Sequence, residues 1–98
     1  MENIRQLRKK VDEVDEQILR SLCQRADICR SIGLLKDKHG FSIQDFPREN
    51  DVYVHVKEKA VELGLDSSYV EAIYHQIVDM CSAVQASKNV RNKSSMEN

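Results

Sequence analysis

Arg25 and Lys36 lie eleven positions apart, which at 100° per residue sets them within about 20° of one helix face and about 16 Å apart along it. Two long cationic side chains so placed can close on a small anion between them. An arginine fork takes carboxylate or phosphate oxygens two at a time, and a lysine adds a point charge. Glu49 on a second helical stretch and Gln85 on a third also occupy places where the periodicity asks for apolar residues, and Arg48 sits beside Glu49. Each of these polar residues alone is accounted for by a side chain that snorkels to water or by a salt bridge within a bundle. Together they put a polar group near the inward face of every helix, which is the pattern of a ligand pocket. Its charge is mostly positive, so the expected ligand is a small polycarboxylate or a phosphate. No nucleophile is presented for covalent chemistry, because Cys81 has no histidine at helical spacing. Glu49 is the one candidate for general acid–base work, so the inventory suits electrostatic and positional catalysis, or binding alone.

These side chains need helices to hold them. From Ile4 to Lys36 the chain carries Ile4, Leu7, Val11, Val14, Ile18, Ser21, Arg25, Ile28, Ile32 and Leu35 at steps of three and four, one stripe along a single helix that continues to about Lys38. At about 1.5 Å per residue that segment is roughly 50 Å long, whereas a compact monomer of this size has a radius of gyration near 13 Å. The helix must overhang any globule the chain builds alone. Arg25 takes a stripe position where Leu or Ile is expected, and a cation there wants an anion. Lys9, Lys10, Asp12, Glu13, Asp15, Glu16 and Arg20 mostly lie off the stripe and are expected to form a solvated face with i,i+4 pairs. Gly33 costs about 1 kcal/mol relative to alanine, which a buried seam tolerates.

Gly40 ends the first helix in a left-handed conformation. Phe41 and Ile43 are expected to anchor a short connection. Asp45 then caps a second helix with Pro47 in its first turn. That helix runs to about Leu63, with Glu49, Val52, Tyr53, Val56, Ala60 and Leu63 inward. Gly64 closes it, and Ser68 with Glu71 has the spacing of a capping box for a third helix. The third stripe reads Val70, Ile73, Tyr74, Ile77, Val78, Cys81, Val84 and Gln85. Residues 1–90 are expected to form one helical domain, and 91–98 a frayed tail.

Lys and Arg number 15 against 16 Asp and Glu, so there is no bulk positive field of the kind that holds nucleic acid. The charged start Met1-Glu2-Asn3 is not a secretory signal, and no run approaches the ~20 apolar residues of a membrane span. A soluble, cytoplasmic protein is expected. Cys23, Cys29 and Cys81 are odd in number and lack CxxC spacing, which fits reduced thiols and no zinc site. Three glycines, one proline and no alternating runs favour an all-α chain.

Leu7-Arg8 with Asp15, then Arg25, Gly33 and Lys36, then Asp45-Phe46-Pro47-Arg48-Glu49, and finally Gln85 together resemble the all-helical chorismate mutases. The likeness covers nearly the whole chain. It implies an entwined homodimer of three-helix chains with two active sites, each using residues of both copies. It implies that Arg25 and a second copy's Arg8 bind the two carboxylates of chorismate, and that Lys36 and Gln85 donate to its ether oxygen. Glu49 is implied as acceptor from the ring hydroxyl, with the backbone around Asp45 near that hydroxyl and Arg48 closing the pocket. The reaction implied, chorismate to prephenate in aromatic amino acid biosynthesis, is an isomerisation that needs no cofactor. Where the family commonly carries Ser for a substrate carboxylate this chain has Cys81, a weak donor, so weaker substrate binding is expected with the chemistry retained. Ser82, about 100° round the helix, is not expected to replace it. Two other readings stay open: an isochorismate pyruvate lyase on the same fold, and a non-catalytic dimeric module that binds an aromatic acid.

Overall fold

The computed structural model describes residues 2–87, which form three helices in succession: α1 (Ile4–His39), α2 (Phe46–Glu62) and α3 (Ser67–Ala86). The expected frayed tail, 91–98, lies outside the described residues, as does the end of the 1–90 domain.

Each helix begins and ends for a local reason. At the start of α1 the Asn3 side chain accepts from the Gln6 N–H, and the Gln6 side chain accepts from the Asn3 N–H, each at 2.9 Å. This reciprocal box satisfies two backbone donors that have no partner within the helix. At the other end Gly40 has φ 70, and the Phe41 N–H reaches the Lys36 carbonyl at 2.8 Å, which closes the last turn as expected. Asp45 caps α2 by accepting from the Arg48 N–H at 3.1 Å. The start of α3 differs from the sequence expectation. Its cap is Asp66, not Ser68: the Asp66 carboxylate accepts from the Ser68 N–H at 2.9 Å, the Tyr69 N–H at 3.3 Å and the Ser68 hydroxyl. A charged acceptor at the positive end of a helix outcompetes a hydroxyl. Those bonds, the Ser68 hydroxyl foremost and then the Tyr69 and Ser68 amides, hold the Asp66 carboxyl below its ordinary value.

α3 lies between the other two helices and packs against both, while α1 and α2 are not neighbours. The result is a single layer of helices, 57 × 39 × 14 Å, with a radius of gyration of 16.9 Å. The overhang expected from length is therefore present. Every residue from Glu2 to Ser21 is exposed, and Ile4, Leu7, Val11, Val14 and Ile18 keep 47 to 65% of their surface in solvent. Along most of its length the α1 stripe thus faces no core within one chain. Leu63, Ile73 and Phe41, expected inward, are exposed as well. A helix buries its apolar side against a second layer, and one chain supplies only one. Ile43 anchors the connection alone, and Phe41 instead lies beside His39 with ring centroids 5.8 Å apart. No helix among the described residues is long and apolar enough to cross a membrane.

The small core gathers where α1 meets α3. Gly33, Cys29, Val78, Cys81 and Gln85 are buried there, and Ala60 is buried on α2. Gly33 is required at that crossing, beyond being tolerated. A Cβ on Gly33 would stand 2.9 Å from the Cα and 3.0 Å from the carbonyl oxygen of Gln85, atoms of a helix backbone that cannot swing aside. Gly33→Ala gains about 1 kcal/mol of helix propensity but overpacks by about 1–3 kcal/mol, so a net loss of stability is expected. Urea unfolding should show it.

Candidate active site

The α1–α3 crossing and the start of α2 enclose a cleft of about 310 Å³. Arg25, Lys36, Asp45, Arg48, Glu49, Cys81 and Gln85 all line it, among walls made by Ile28, Ile32, Ile43, Val52 and Val78. Seven of the eight residues singled out from the sequence therefore share one cavity. The eighth, Arg8, is exposed on the overhanging part of α1, about 42 Å from Lys36 along the helix. It does not belong to the cleft of its own chain.

Lys36 is the best-defined group. Its Nζ donates to the Ile43 carbonyl at 2.7 Å and to Gln85 Oε1 at 2.9 Å. An ammonium has only donors to offer, so the amide must turn its oxygen toward Lys36. That leaves the Nε2 hydrogens of the buried Gln85 to point elsewhere, and one Lys36 proton uncommitted. Arg25 is half-buried and lays Nη1 on the sulfur of Cys81 at 2.6 Å, with the sulfur of Cys29 at 3.8 Å. Glu49, half-buried, accepts from Gln44 Nε2 at 3.4 Å. The Asp45 side chain is engaged in capping α2, and Arg48 is exposed at the rim.

Among the described residues no carboxylate lies within ion-pair distance of Arg25, Lys36 or Arg48, whereas Arg30 pairs with Asp27 at 2.7 Å and Lys57 with Glu71 at 3.6 Å. The cleft's cations are thus unneutralised in partly apolar surroundings, which suits it to an anion. Among the described residues the expected i,i+4 pairs on the outer face of α1 do not form; Lys10 instead reaches back to Glu2. No three His, Cys, Asp or Glu side chains among the described residues are grouped as metal ligands.

Three parts of the cleft were missed from sequence. The Ile43 carbonyl is backbone and leaves no signal in residue type. Ser82, not expected to replace Cys81, lines the cleft as well, because the pocket spans about 100° of α3. Cys29 was legible: it is four residues after Arg25 and four before Gly33, hence on their face. Burial first, and then the adjacent Cys81, push its thiol from the ordinary 9.0 to about 11. The unfolded chain therefore releases this proton at lower pH than the folded one. Its contribution is intact below pH 9.0 and is lost as pH rises toward about 11. In denaturant melts over that window, Cys29→Ala should show a shallower fall in stability than the unchanged protein.

A family model described as chorismate mutase type II matches residues 7–86, a span that holds α1 from Leu7 onward, all of α2 and α3, and every lining residue of the cleft. The chain belongs to that family. Among its relatives, the chorismate mutase of Methanocaldococcus jannaschii is 26% identical over 85 residues, covering 87% of this chain and 86% of that protein. The bifunctional chorismate mutase/prephenate dehydratase of Aquifex aeolicus is 32% identical over 88 residues, covering 87% of this chain but 24% of that protein. The chain thus spans about a quarter of the longer relative, and of the two activities in that protein's name the family match concerns the first. No solved structure gives a significant match.

Proposed function

We infer that two copies of this chain pair along α1, and that each cleft, completed by Arg8 of the other copy, converts chorismate to prephenate. Family membership supports the reaction. The single observation that carries the site is the half-buried Lys36 donating to the buried Gln85, beside an Arg25 with no carboxylate partner, in one cleft. Pairing is supported by the bare apolar stripe of α1: each Ile, Leu or Val, still about half exposed, would contribute roughly half of the 1.5–3 kcal/mol of full burial when a second copy covers it. The three free cysteines fit a reducing, cytoplasmic setting.

Chorismate is a dianion whose reactive conformer is a minor one. Arg25 and the second copy's Arg8, gripping one carboxylate each, hold the two reacting carbons together and remove most of the entropy of reaching that geometry. As the C–O bond lengthens, negative charge collects on the ether oxygen. Lys36 has a proton free for it, and Gln85 has its amide hydrogens free because Lys36 occupies its oxygen. Fixed donors aimed at developing charge stabilise the transition state more than the ground state, at about 3 kcal/mol each. No nucleophile or cofactor is called upon. Glu49 accepts from the ring hydroxyl, and Arg48 closes the rim. Cys81 already accepts from Arg25, so it steadies the guanidinium and does not take over a serine's contact with the carboxylate.

Following the loss of chorismate absorbance with the purified protein, and identifying prephenate as product, tests this reading. Salicylate from isochorismate, with no prephenate from chorismate, would replace it with the lyase. Binding of an aromatic acid without turnover would leave a non-catalytic module.

A further inference from the structure

Cys29 and Cys81 take no part in bond-making in the scheme above, yet both are buried, both line the cleft, and both set their sulfur against one nitrogen, Arg25 Nη1. They stand on different helices. One turn further along each, Gly33 and Gln85 bring α1 and α3 into backbone contact, close enough that a Cβ on Gly33 would lie 2.9 Å from Gln85 Cα. Helices in contact one turn away carry the cysteine backbones toward the span a disulfide bridges, with Cα atoms about 4.4–6.8 Å apart. Small reagents reach both thiols through the cleft. The third cysteine, Cys23, is exposed and does not line it.

We propose that Cys29 and Cys81 form a modification site, a thiol pair that hydrogen peroxide oxidises to a disulfide inside the cleft, shutting it to dianions. In the first step the Cys81 sulfur attacks one peroxide oxygen. The S–O bond forms, the O–O bond breaks, and the thiol proton leaves with the second oxygen as water. In the second step the Cys29 sulfur attacks that of Cys81. The S–S bond forms, the S–O bond breaks, and the hydroxyl departs with the Cys29 proton as a second water. Two thiols lose two electrons and two protons, and one peroxide becomes two waters. Cys81 goes first because its sulfur lies closer to the Arg25 guanidinium, 2.6 Å against 3.8 Å, while burial holds the proton on Cys29 until the resolving step. The bond draws both sulfurs off Arg25, so the guanidinium loses the contacts that aim it at a carboxylate.

The loss of turnover rests on the function proposed above; the disulfide does not. Purified protein with Cys23→Ser is treated with hydrogen peroxide, and disulfide is mapped by peptide mass while chorismate turnover is followed. The expected result is a Cys29–Cys81 linked peptide, loss of turnover in step with the linked fraction, and recovery of both with dithiothreitol. Cys29→Ala, measured against its own untreated rate, should lose the linked peptide and the reversible inactivation. Cys29 and Cys81 remaining reduced, or oxidising without linking, overturns the site. A linked peptide with undiminished turnover overturns the shutting of the cleft. Absence of turnover before any treatment overturns the function and leaves the disulfide to be read by mass.

Discussion

Lys36→Met is expected to lower kcat by about 10²–10³-fold with a smaller change in KM. Methionine keeps much of the length and apolar stem of lysine but offers no proton, so the substitution removes two things together. In the proposed reaction the ether oxygen loses its cationic donor, and Gln85 loses the partner that fixes which way its amide points. In the proposed site neither interaction grips the ground-state carboxylates, so the loss is expected in kcat. The expected stability change is small. A half-buried ammonium without a carboxylate is costly to desolvate, and relief of that cost offsets the loss of its hydrogen bonds to the Ile43 carbonyl and the Gln85 oxygen. A thermal melt at or near that of the unchanged protein, alongside the fall in kcat, would mark Lys36 as a group that touches the reacting atoms. A fall of less than tenfold would mean that charge does not develop beside Nζ.

Much of this site was legible in the sequence because it is written in helical arithmetic. Arg25 and Lys36 share a face by spacing alone, and Gln85 betrayed itself as an amide closing an apolar stripe. The ends of α1 and α2 followed from Gly40 and Asp45, whose preferences are local and strong. Legibility failed where distant backbone decides. Gly33 reads in sequence as a weak spot in a helix; only with α3 laid across it does the missing Cβ become the reason the helices meet. Periodicity also says that a face is apolar without saying what covers it. For Ile4 through Ile18 nothing in one chain does, and the same blindness placed Leu63 and Ile73 inside. Ser68 was misread because Asp66, a charged acceptor two residues earlier, caps the Ser68 and Tyr69 amides and starts the helix before Ser68 can.

Chains carrying Arg8→Ala and chains carrying Lys36→Ala, each nearly inactive alone, should recover activity when unfolded together and refolded as a mixture. The reason is length. Arg8 and Lys36 sit on one uninterrupted helix about 42 Å apart, several times the reach of an arginine side chain, so no single chain brings both to one small dianion. In a two-fold dimer paired along α1, the overhanging half of one copy runs past the cleft of the other. A mixed dimer then has one cleft with both substitutions and one with neither. With random pairing half of the dimers are mixed, and one of their two sites is whole, so recovery should approach about a quarter of the unsubstituted rate. Differently tagged chains show by mass that mixed dimers have formed. If they form and activity stays at the level of the parents, Arg8 does not act across the interface, and the second carboxylate must be held by a cation of the same cleft, with Arg48 at the rim the next to be replaced.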